Sequence, residues 1–215
     1  MAIYRTGSII PLGDGATGKT ALTSLLIKRD VSIEEAAELL AKTKKSVNIE
    51  MEFISVSGKL DDLEIKASCQ FYVFPGQRQK NGINTPTFEE ILRIFDFLPM
   101  LENVSVLLLL WDTTRLESLK SLESWLQIAL SRQWVGDDTL IVLVSNKIDL
   151  QESNANFVEN VKQGIIKMIK AGGRIIDESQ VRSISTSCVD LRGVRELQAM
   201  IDDWVLRKGM EKKNS

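Results

Sequence analysis

The sequence predicts an α/β fold: a mostly parallel sheet of about six strands with helices on both faces. Three observations lead there. Apolar runs alternate with helical segments along the chain, the order that builds a parallel sheet. A glycine-rich loop separates the first apolar run from the first helical stretch. The run Val104-Ser105-Val106-Leu107-Leu108-Leu109-Leu110-Trp111 is apolar almost throughout, as a parallel strand buried on both faces should be. It is far too short to span a bilayer.

The first strand contains Ser8-Ile9-Ile10-Pro11-Leu12, and a helix covers about Lys19 to Arg29. Proline inside a central strand removes a ladder donor, so Pro11 is expected at the strand's exit, where that N–H faces no partner. From Val31 to Ser46, Ser32-Ile33-Glu34-Glu35 has the form of a capping box, and Ala36, Ala37, Leu39 and Leu40 continue it as a short helix. Its amphipathic face around Glu34 to Lys42 is read as packing on the body, with a partner surface as the alternative. Two strands follow, about Val47 to Val56 and Leu63 to Phe74, joined by a turn at Ser57-Gly58-Lys59. A helix from about Thr87 to Leu98 is capped by Thr87 and Glu90. Later helices are expected near Leu116 to Leu130, Asn156 to Lys170 and Val194 to Arg207.

The segment Gly13-Asp14-Gly15-Ala16-Thr17-Gly18-Lys19-Thr20 fits G-x-x-x-x-G-K-[ST], the phosphate-binding P-loop. Small residues let the backbone N–H groups point inward at phosphates. Lys19 reaches the β- and γ-phosphates, Thr20 offers a hydroxyl to Mg²⁺, and the helix that opens through Ala21 aims its positive end at the anion. Far downstream, after Leu140-Ile141-Val142-Leu143-Val144-Ser145, stands Asn146-Lys147-Ile148-Asp149. It lies at the carboxyl end of a predicted strand, where open α/β sheets bind ligands. The Asp149 carboxylate can accept both N1–H and N2–H₂ of guanine. Adenine offers neither and would leave that carboxylate unpaired. Asn146 can brace the loops, and the alkyl stem of Lys147 can cover the ring.

With these two motifs in order the chain resembles the small GTPases (Ras, Rab, Arf and their prokaryotic relatives), from about Ser8 to about Leu206. Ser185-Thr186-Ser187-Cys188 looks like the family's T-S-A loop, which backs the guanine through its main chain; Cys188 stands where alanine is usual. The resemblance implies one small G domain over residues 1–215, GTP/GDP and Mg²⁺ as ligands, and loops that respond to the γ-phosphate. Gly15 sits where the family usually needs glycine to avoid crowding the catalytic glutamine.

The second switch departs from the common D-x-A-G-Q. Here it reads Val73-Phe74-Pro75-Gly76-Gln77. By resemblance Gly76 offers its N–H to the γ-phosphate and Gln77 is the catalytic residue that orients the attacking water. Val73 replaces the aspartate that holds a Mg²⁺-bound water, and Asp14 or Glu50 are candidates to compensate. The P-G-Q form and the long first switch are similar to MglA-type and archaeal members. The first-switch hydroxyl for Mg²⁺ is Ser46, or alternatively Thr43. Lys44, Lys45 and Arg78 flank the switches, and no arginine occupies a finger position in the sequence, so slow hydrolysis is expected, with a finger supplied in trans by a partner.

The chain has 215 residues, 44% hydrophobic and 26% charged, enough for a sizeable core. Its net charge of −2 gives no basis for nucleic-acid binding. It has no histidine, which excludes His-based catalysis and His-ligated metals. Cys69 and Cys188 suit a reducing, cytoplasmic setting. Ala2 and the cysteine-free C-terminus predict no direct lipid anchor. The expected function is a GTP-hydrolysing switch, with protein effectors and regulators and, for an MglA-like protein, a Roadblock-type activator. The alternative is a guanine-nucleotide-binding scaffold or Rag-like regulatory subunit with negligible turnover. An ATP-using P-loop kinase is opposed by Asn146 to Asp149.

Overall fold

In the computed structural model, residues 3–43, 49–60, 63–76, 87–95 and 104–214 are described. The strands are β1 (Tyr4–Leu12), β2 (Glu50–Leu60), β3 (Leu63–Val73), β4 (Val104–Asp112), β5 (Leu140–Asn146) and β6 (Val181–Thr186). The helices are α1 (Lys19–Lys28), α2 (Ile33–Lys42), α3 (Phe88–Phe95), α4 (Leu116–Ser131), α5 (Ala155–Ala171) and α6 (Val194–Asn214). The sheet has six strands in the order β2-β3-β1-β4-β5-β6. β2 pairs antiparallel with β3, and every other pairing is parallel.

Alternation along β4 divides the interior into two layers. Leu107, Leu109 and Trp111 face a core shared with α3, α4 and α5. Val106, Leu108 and Leu110 face the opposite core, which α1 and α6 close. β4 and β5 are buried along their whole length, the property of central parallel strands.

The capping box that opens α2 is present: Ser32 Oγ accepts from the Glu35 N–H at 3.2 Å and the Ser32 N–H donates to Glu35 Oε2 at 2.9 Å. Thr87 and Glu90 cap α3 in the same way. The expected C-terminal end of α3 at Leu98 lies outside the described residues. Pro11 lies opposite Leu108 of β4, while the pairs with β3 stop at Ile9 and Phe71, so it interrupts no registered pair with β3.

One expected turn is corrected. Ser57, Gly58 and Lys59 lie within β2, paired with Lys66, Ile65 and Glu64, and pairing continues to Leu60 opposite Leu63. A Cβ on Gly58 would meet Leu206 Cδ1 of α6 at 2.6 Å, so that side chain would have to shift to admit one.

Candidate functional site

The P-loop joins β1 to α1 at the C-terminal edge of the sheet. α1 begins at Gly18, in the left-handed region at φ 95°, with no side-chain cap and no acidic residue in its first turn. A Cβ on Gly18 would run into Nδ2 of Asn146. No side chain caps the first turn of α1, and the helix dipole favours an anion there. Gly15, Ala16, Gly18, Lys19, Thr20, Ala21, Thr43, Phe74, Pro75 and Gly76 line a cleft of about 450 Å³, a volume ordinary for a small-molecule site.

Lys19 is buried, with Nζ donating to the carbonyls of Gly13 at 2.7 Å and Asp14 at 2.8 Å. Burial lowers its pKa to about 7; the charge of Asp14 opposes that shift and the charge of Arg115 adds to it. Gly76 packs directly over this lysine. A Cβ at that position would strike Lys19 Nζ and come within 2.5 Å of the Gly13 carbonyl. The loop backbone thus approaches the lysine as closely as only glycine permits.

Asn146 joins three segments. Its Nδ2 donates to the Thr17 carbonyl at 2.8 Å, and its Oδ1 accepts from Thr186 Oγ1 at 3.0 Å and from Cys188 Sγ at 3.8 Å. Ser187 organises the last of these segments, its Oγ accepting from the N–H groups of Val189 and Asp190 at 3.2 and 3.3 Å. Burial pushes the Cys188 thiol up to about 12; its bond to Asn146 acts the other way. Asp149 lies half-buried in the turn after β5, close enough for its charge to disfavour a Cys188 thiolate.

Sequence reading missed two residues. Asp112, at the end of β4, is buried and accepts from Lys147 Nζ at 2.7 Å, Thr114 Oγ1 at 2.6 Å and Arg115 Nε at 3.1 Å. Burial favours its neutral form, yet the bonds from Lys147 and Thr114 and the Lys147 charge hold its carboxyl below the ordinary carboxylate value. Arg115 Nη2 in turn donates to the Gly15 carbonyl at 2.9 Å, so an arginine does reach the P-loop although none is near it in sequence. The signal was an Asp-x-x-Arg step directly after a buried strand. An acid at such a place needs cationic partners.

Thr20 lies beside Lys19 on the cleft wall, so its hydroxyl is a side-chain oxygen available to a divalent ion there. Val73 is buried, Glu50 is exposed opposite it, and Asp14 accepts from Trp125 Nε1 at 2.9 Å. Among the described residues no group of three acidic, cysteine or histidine side chains forms a metal cage. These donors fit an ion held by one hydroxyl, phosphates and waters. Thr43 Oγ1 donates to the Leu39 carbonyl at 2.9 Å and lies on the cleft wall. Ser46 and Gln77 lie outside the described residues, as do Lys44, Lys45 and Arg78. No helix among the described residues is long and apolar enough to cross a membrane.

The site therefore pairs an anion cradle with a carboxylate-bearing turn, linked by Asn146. No curated protein matches the chain. A family model described as Ras family matches residues 97–203, from the segment before β4 into α6. With the six-stranded, mostly parallel sheet, that match supports a small GTPase of the Ras superfamily, a GTP-binding switch.

Proposed function

We propose that the protein hydrolyses GTP to GDP and phosphate and changes its switch loops when the γ-phosphate leaves. The observation that carries this reading is the Asn146 bridge. One side chain ties the phosphate-binding loop to the Asn146–Asp149 turn and to the segment ending in Ser187 and Cys188. A nucleotide in the cleft would meet phosphate donors at one end and a guanine-selective carboxylate, Asp149, at the other.

The residues divide the work. The N–H groups from Asp14 to Ala21 hold the phosphates, and Lys19 exchanges its two carbonyl partners for phosphate oxygens. The Gly76 N–H meets the γ-phosphate, and Gln77 orients the attacking water. Asn146, Lys147, Ser187 and Cys188 frame the base. Thr20, with Ser46 or Thr43, would hold Mg²⁺, which when bound neutralises charge on the β- and γ-oxygens. Val73-Phe74-Pro75-Gly76-Gln77 and the α2 insertion support an MglA-like member. Two buried free cysteines suit the cytoplasm.

The test is GTP and GDP binding with single-turnover hydrolysis in Mg²⁺, comparing the wild type with Gln77→Leu. Guanine-specific binding, with turnover that the variant abolishes, is expected. Tight binding with no turnover, even with activators present, would instead favour the scaffold reading, which the buried apolar Val73 supports.

A further inference from the structure

We propose that Arg115 is a catalytic residue acting in cis, its guanidinium reaching the transferring phosphoryl group and stabilising the charge that develops there. The proposal rests on the GTPase reading and adds to it a residue contributed by the β4–α4 turn.

Geometry carries the argument. Arg115 immediately precedes α4, a hundred residues from the P-loop in sequence, yet its Nη2 lies 2.9 Å from the Gly15 carbonyl. Gly15 lines the cleft that Lys19 and Gly76 also line, and Gly76 packs against Lys19 and Gly13. Arg115 therefore stands at the end of the cradle where the lysine and the second switch converge. The arm is aimed from behind. Nε bonds Asp112 Oδ2 at 3.1 Å, and that carboxylate is itself fixed by Thr114 and Lys147. The Asp112 side chain is 2% exposed, whereas that of Arg115 is 43% exposed. Its stem is anchored while its Nη2 reaches the carbonyl of Gly15, a residue of the cleft wall. Among the described residues only a neutral carbonyl holds its outer nitrogens, and Nη1 has no partner. A phosphoryl oxygen is a stronger acceptor for a guanidinium than an amide carbonyl. Lys19 already feels the charge of Arg115, which helps to lower its pKa.

The assisted step is in-line hydrolysis. A water oxygen bonds to the γ-phosphorus as the bond to the β,γ-bridging oxygen breaks. The electron pair leaves on the GDP β-phosphate, and the water's proton ends on inorganic phosphate or solvent. Arg115 donates hydrogen bonds to the oxygens that gain charge, and no proton leaves it.

The experiment uses the full chain as wild type, Arg115→Ala and Arg115→Lys. It reads Mg²⁺-dependent GTP and GDP affinity, single-turnover hydrolysis, and capture of GDP with aluminium fluoride followed by tryptophan fluorescence. Both variants are expected to hydrolyse roughly 30-fold more slowly, the ratio between switches with and without a cis arginine. Their GDP affinity should stay within about threefold. The wild type should form the fluoride complex unaided, and the variants should not. Unchanged hydrolysis and fluoride capture in the variants would overturn the proposal. So would losses that only track affinity, the behaviour of a mere P-loop brace. A wild type that binds nucleotide without turnover or fluoride capture also overturns it, since a cis arginine needs no partner. Absence of guanine-nucleotide binding would sink the GTPase reading itself.

Discussion

The indole N–H of Trp125 donates to Asp14 Oδ1 across 2.9 Å, joining the middle of α4 to the second residue of the P-loop. Trp125 is also the end of an aromatic chain. It meets Phe88 of α3 edge-on at 4.7 Å, Phe88 meets Phe74 at 5.5 Å, and Phe74 stacks on Trp134 at 5.6 Å. Phe74 directly precedes Pro75 and Gly76. The glycine-rich loop and the Phe74-Pro75-Gly76 segment thus share one packed column.

Trp125→Phe keeps the ring contact with Phe88 and removes the donor to Asp14. A hydrogen bond to a charged group contributes about 1.5–3 kcal/mol. Urea unfolding should show a loss in that range, and the fluorescence change that accompanies exchange of GDP for GTP should shrink. Unaltered stability would show that Asp14 does not depend on the indole.

Asp112→Asn should cost about 2–4 kcal/mol, because Lys147 and Arg115 lose the carboxylate they face. Its pH dependence follows from the depressed folded pKa. The carboxylate's stabilisation is present above the ordinary aspartate value of about 4 and is lost as pH falls through the lower folded value. Unfolding series at pH 7 and pH 3 should differ more for the wild type than for the variant.

Cys188 should resist alkylation at pH 8 until the protein unfolds, since its thiol is buried and its pKa is raised to about 12. The unfolded thiol ionises near pH 9. The stability held in the neutral thiol is therefore complete below that value and declines as pH rises toward about 12. Cys188→Ala should flatten the fall in stability above pH 9, measured as the urea midpoint.

Asp149→Asn exchanges an acceptor pair for one acceptor and one donor. Affinity for GTP should fall by at least about 100-fold, because buried donors of the base lose their partner. Affinity for xanthosine nucleotides should rise. Equal GTP binding by wild type and variant would place the base elsewhere.

Features written in local sequence were legible. The glycine-rich loop, the Asn146–Asp149 turn and the Ser32–Glu35 cap each depend on neighbours a few residues apart; the structure places the first between β1 and α1, the second at the end of β5, and forms the cap. The Asp112–Arg115 step is local, but its partners Lys147 and Gly15 come from distant segments joined by the sheet, so its role could not be read from neighbouring residues alone. Gly58 misled for a related reason. In sequence it looks like a turn, whereas in the fold it lies within β2, beside Leu206 of another element.

The unbroken β2–β3 register, from Glu50 opposite Val73 to Leu60 opposite Leu63, has a mechanical consequence. The proposed switches adjoin the start of β2 and the end of β3, where Glu50 pairs with Val73. A slip of one residue would turn the buried Ile54 and Val56 to solvent and drive the 65%-exposed Phe53 inward. Travel of one strand along the other is therefore quantised in two-residue steps of about 7 Å. The single register thus ties the point where the chain enters β2 to the point where it leaves β3.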